Sequence, residues 1–88
     1  MGTELYAEQI LGKGVAIPRT RADVALMAWQ LAGKPEVAVK GEPLSEAALA
    51  QKWAVESGLM QNVDGSFNPD KKMSKLKALK VLDAAKKM

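Results

Sequence analysis

Cysteine and histidine are both missing from this chain. Without cysteine there is no disulfide framework and no thiol nucleophile. Without either residue, zinc and haem have no good ligand set. The usual nucleophile–base pairs disappear too, and two helical hairpins leave little room for a substrate cleft. The chain is therefore expected to be a non-catalytic binding protein with no cofactor and no metal.

Aromatic residues are scarce, limited to Tyr6, Trp29, Trp53 and Phe67. The core must come mainly from Leu, Val, Ile, Ala and Met. A single domain, 1–88, is expected, and a chain of this length buries only roughly 60–65% of its unfolded surface. Alanine lets helices approach closely but buries little area, so modest stability follows. Long apolar runs are absent as well: nothing approaches the roughly 18 residues that a membrane span requires. Met1-Gly2-Thr3-Glu4-Leu5 has no basic region followed by a long apolar segment, so no signal peptide is read in this chain.

What is present is charge, unevenly spread. The formal net charge is +3, yet residues 71–87 carry seven lysines against one acid, Asp83, and the remainder is slightly acidic. Such a segment attracts polyanions. It also reads as an ordinary solvated lysine face that suits a helix C-terminus. Arginines and exposed aromatics do not accompany the lysines, so only weak, salt-sensitive attraction to nucleic acid is expected, with no sequence recognition.

Periodicity and punctuation define four helical stretches. Thr3 to Leu11 places Leu5, Tyr6, Ile10 and Leu11 at helical spacing before the breaker Gly12-Lys13-Gly14. Thr20 is a good N-cap, Asp23 follows three residues later, and Val24, Met27, Ala28 and Leu31 form an inward stripe with Trp29 on its flank. Gly33 and Pro35 close that helix. Ser45 caps a third helix that Gly58 ends, and its period puts Trp53 in the core. Ser74 caps the last, with Leu76, Leu79, Leu82 and Ala85 inward. Strand is expected only as short pieces near Val15–Ile17 and Val37–Val39. The fold class is all-α: two helix–loop–helix units, about four helices, packed as a small bundle.

Gly14 to Leu31 and Gly65 to Leu82 correspond loosely, each running from glycine through proline and a hydroxyl cap into an amphipathic helix. Asn62-Val63-Asp64-Gly65 is similar to the middle of a calcium loop. With Gly65 at the sixth position, however, Met60 and Lys71 fall where the first and twelfth ligands belong. Asp64 and Gly65 are read as turn residues.

Physically, Arg21 beside Thr20 makes an anion site: a planar fork of donors next to the free N–H groups of a helix start. The ordinary alternative makes Thr20 a cap and Arg21 a surface side chain. Trp53 offers a flat aromatic face, against its core register. Arg21 and Lys75 are both expected at the surface, where substitution leaves folding nearly intact.

Trp53-Ala54-Val55-Glu56-Ser57-Gly58-Leu59-Met60, then Asp64-Gly65-Ser66-Phe67-Asn68-Pro69, then a capped amphipathic helix, resembles an S-layer homology repeat. Thr20-Arg21-Ala22-Asp23, with Leu26 to Pro35 after it, looks like the second half of a preceding repeat. The likeness covers residues 14–88, about one and a half repeats: a partial first repeat in 1–35 and a second in 36–88. It departs from the family at Met73-Ser74-Lys75-Leu76-Lys77, which lacks the arginine and acid of the Thr-Arg-Ala-Glu-like motif. It departs again at Ile10-Leu11-Gly12-Lys13-Gly14, in place of a Trp-Ala helix and Asp-Gly-x-Phe loop.

The resemblance implies a cell-surface or secreted module that anchors a protein to secondary polysaccharide of the bacterial cell wall, often pyruvylated, within a pseudo-threefold assembly of three repeats. It implies ligand contacts at Thr20, Arg21, Asp23, Trp53 and Lys75, with Arg21 the stronger of the two helix starts. The alternative is a protein-interaction or self-association module that has lost the sugar, since an unpaired repeat face exposes apolar surface.

Overall fold

The computed structural model describes residues 3–37, 41, 45–63 and 65–87. Four helices order the chain: α1 (Thr3–Leu11), α2 (Arg21–Leu31), α3 (Glu46–Glu56) and α4 (Lys75–Lys86). The hydroxyl caps begin three of them as the sequence requires. Thr20, Ser45 and Ser74 have extended backbones, and each side chain accepts from the N–H three residues on. That satisfies one of the donors a helix start leaves open.

Helix ends are equally local. Gly33 adopts φ +89°, its N–H donates to Gln30 O at 3.1 Å, and the Lys34 N–H donates to Trp29 O at 2.9 Å. This crossed pair of bonds is the Schellman stop, which needs a left-handed residue at that point. Trp29 reinforces it, its indole N–H donating to Pro35 O at 2.9 Å.

The helices lie in single file. α2 packs on α3 and on α4, and α4 packs on α1; among the described residues no other pair of helices meets. The molecule is accordingly oblong, 46 × 28 × 19 Å. The central place of α2 follows from its sequence: only Arg21, Asp23 and Gln30 interrupt an apolar surface, so it presents an apolar side to each neighbour. α1 does not pair with α2, nor α3 with α4. The pairings instead run from α2 across the 32–45 connection to α3, from α2 to α4, and from the first helix to the last.

Half of the fourteen buried apolar residues among those described are alanines: Ala7, Ala25, Ala28, Ala50, Ala54, Ala78 and Ala85. They allow helix axes to approach closely, while Val24, Leu79, Leu82, Trp29, Trp53, Ile10 and Met60 supply most of the buried area. No polar side chain is buried among the described residues.

Five expectations need correction or qualification. Leu76 is 49% exposed rather than inward, because the buried stripe of α4 runs through Ala78, Leu79, Leu82 and Ala85 and the first turn lies off its edge. Leu5 is 48% exposed; in α1 it is Ala7 and Ile10 that face the core. Residues 15–17 form no strand. The chain after them instead makes an isolated antiparallel bridge between Thr20 and Lys72. Of the second expected strand, residues 38 and 39 lie outside those described, as does Asp64 of the expected turn. Around that turn Val63 and Ser66 exchange backbone hydrogen bonds of 2.7 and 3.1 Å, and Gly65 supplies φ +79°.

Among the described residues, no helix is long and apolar enough to cross a membrane.

Candidate binding site

The start of α2 and the loop preceding α4 are laced together. The Arg21 N–H donates to Lys71 O and the Ala22 N–H to Pro69 O, both at 2.9 Å, and the Met73 N–H donates to Arg19 O at 2.6 Å. The Asp23 N–H donates to Thr20 Oγ1 at 3.2 Å, and the Val24 N–H to Thr20 O at 2.9 Å. Every N–H of the first turn of α2 therefore has a partner within the chain. The expectation of free N–H groups beside Arg21 is overturned: backbone carbonyls of the 69–71 loop already fill the place an anion would take.

Arg21 itself points into this junction. Its Nε donates to Phe67 O at 2.7 Å, an Nη donates to Gln61 O, and its guanidinium lies over the Phe67 ring, 4.8 Å from the centroid. The side chain is half-buried. Two of its five donors and one of its faces hold the 61–67 loop, so Arg21 is not the loosely attached surface group expected from sequence. Arg21 also lines a depression of about 320 Å³.

That depression gathers Arg21, Lys71, Lys72 and Lys77 around the cap Ser74, with apolar Val63 and Met73 completing it. No carboxylate is among the described residues that line it. Four cations around one concavity concentrate positive potential, and low-dielectric walls strengthen their pull on an anion. Asp70 lines a neighbouring hollow with Asn68 and Pro69, which shares Val63 and Lys71 with the cationic depression.

The residues marked in the sequence are thus dispersed. Thr20 and Arg21 stand at the junction, Thr20 as the cap. Asp23 is exposed on the first turn of α2, and Lys75 is exposed on the first turn of α4; neither lines the cationic depression. Trp53 is 8% exposed in the core, where its helical register placed it. Lys71, Lys72 and Lys77 were not singled out, because in the sequence they merge into a uniform lysine run. Only the bridge from Thr20 to Lys72, bringing together residues 52 apart in sequence, separates them from the rest.

No family model matches the chain, and no curated protein or solved structure matches it.

Proposed function

We propose that this chain is a non-catalytic binding module that holds an acidic polysaccharide of the bacterial cell wall at the cell surface, in the manner of S-layer homology repeats. The observation that carries this reading is the depression at the junction of the two helix starts, where Arg21, Lys71, Lys72 and Lys77 converge. Acidic groups on a sugar, such as the carboxylate of a pyruvate ketal, are small multi-oxygen anions that charge-assisted N–H donors bind well. Arg21 then serves twice, fixing the loop next to the lysines and offering its outer N–H groups to the ligand. The lysines supply most of the attraction.

The test is sedimentation or calorimetry with isolated bacterial wall polysaccharide, before and after chemical removal of its acidic substituents. Binding that depends on those substituents supports the reading. No binding by the intact domain removes it and favours the alternative, a protein-interaction or self-association module. That alternative draws on the single-file packing, in which α1 and α3 each meet one other helix among the described residues, and on the exposure of Leu5, Val15 and Leu76.

A further inference from the structure

Arg21 belongs to the cationic depression and Phe67 does not; Phe67 belongs to a second depression, of about 250 Å³, that Arg21 does not line. The stacked pair is therefore the partition between two hollows of different character. The second is formed by Gln51, Lys52, Val55 and Glu56 of α3 together with Asn62 and Phe67. It carries one charge of each sign, two amides and two apolar side chains.

We infer that this second hollow is a subsite for an uncharged sugar ring, the neighbour of the acid-bearing residue in the cationic depression. The inference rests on the polysaccharide reading above. A pyranose presents apolar C–H groups on its faces and hydroxyls around its edge. Phe67 and Val55 match the first, since an aromatic ring is a rigid apolar surface. Gln51 and Asn62 match the second, each amide both donating and accepting, with the Glu56 carboxylate as a further acceptor. A few polar groups around an apolar patch is the composition of small-molecule sites, and the volume is below the roughly 300–1,000 Å³ of a drug-sized pocket, room for about one ring.

The alternatives within the chain are poorer. Trp29 and Trp53 are buried, and the Tyr6 hydroxyl is directed at Asp83, on the helix pair α1–α4. Phe67 is the half-exposed aromatic next to the cations. Because Arg21 grips the carbonyls of Gln61 and Phe67, the loop carrying Asn62 and Phe67 is fixed relative to the cationic depression. Two subsites separated by one stacked pair suit consecutive residues of one glycan.

The experiment is calorimetric titration of the whole chain with isolated bacterial wall polysaccharide and, separately, with poly-L-glutamate, which offers carboxylates without rings. Two variants are compared with the unaltered chain: Phe67→Leu, and the double substitution Gln51→Ala with Asn62→Ala. The expected result is a loss of about five- to tenfold in affinity for the polysaccharide in both variants, with poly-L-glutamate binding unchanged in the double variant. The double variant touches neither Arg21 nor its stack, so it still decides the matter if Phe67→Leu loosens the loop. Polysaccharide affinity unchanged in the double variant overturns the subsite while leaving the cationic depression as the binding site. Equal affinity of the unaltered chain for both polymers overturns it too, charge alone being sufficient. No binding of either polymer removes the polysaccharide reading itself, and the subsite with it.

Discussion

Arg21 and Phe67 hold each other twice: the Arg21 Nε donates to the Phe67 carbonyl at 2.7 Å, and the guanidinium lies 4.8 Å from the centre of the Phe67 ring. One residue opens a helix and the other follows a tight turn 46 positions later. Their contact, with the second bond to Gln61 O, converts a side chain of binding type into a structural clasp.

Arg21→Ala is accordingly expected to destabilise the fold by about 1.5–3 kcal/mol, the range for hydrogen bonds from a charged donor. Arg21→Lys should recover little, because an ammonium cannot span two carbonyls while lying flat on a ring. Urea denaturation measures both. A loss under about 0.5 kcal/mol, the scatter of ordinary surface substitutions, would return Arg21 to the surface role read from sequence.

Lys71, Lys72 and Lys77 are exposed and line the cationic depression, whereas Lys75 is exposed on the same helix start without lining it. Replacing the first three with alanine should lower affinity for acidic polysaccharide at least about tenfold and flatten its salt dependence, since fewer counterions are exchanged. Lys75→Ala should change affinity far less. Thermal melting of all four variants should stay close to that of the unaltered chain. Equal losses from Lys75 and from any one of the three would mean that general positive charge explains the attraction.

Thr20 caps α2 through Oγ1, accepting from the Asp23 N–H at 3.2 Å. Thr20→Ala should cost about 1 kcal/mol, within the usual range of roughly 0.5–2 for a lost cap, and Thr20→Ser much less. Guanidinium titration of the pair distinguishes a cap from a side chain kept only for a ligand. Identical stability of alanine and serine variants would contradict the capping role.

Ala28 is fully buried in α2, the helix that meets both α3 and α4. Ala28→Leu should overpack this position and destabilise by about 1–3 kcal/mol despite adding apolar surface. An unchanged or raised melting temperature would show that the helices stand further apart than described.

The local grammar of this fold was legible in its residues. Thr20, Ser45 and Ser74 mark helix starts, and Gly12, Gly33 and Gly58 mark helix ends, because caps and left-handed stops depend on neighbours a few positions away. Helix pairing was not legible. Alanine at Ala25, Ala50, Ala54 and Ala78 gives no strong periodic signal, yet these positions are fully buried. The candidate site was half legible. Arg21 stood out as an unusual residue at a helix start, but its acceptors Gln61 O and Phe67 O lie 40 and 46 residues away. The lysines that surround it became distinct only when the bridge of Thr20 to Lys72 placed them there.

Single-file packing gives α1 a particular fate. Among the described residues it meets α4 and no other helix, buries Ala7 and Ile10, and is tethered by the Tyr6 hydroxyl to Asp83 at 3.4 Å and by the Lys86 ammonium to Ile10 O at 3.0 Å. It is therefore expected to open before the rest, with α2, α3 and α4 staying together and the laced junction intact. Amide hydrogens of α1 are expected to exchange with solvent well before those of α2. That outcome would make the molecule, in kinetic terms, a three-helix unit with a detachable first segment.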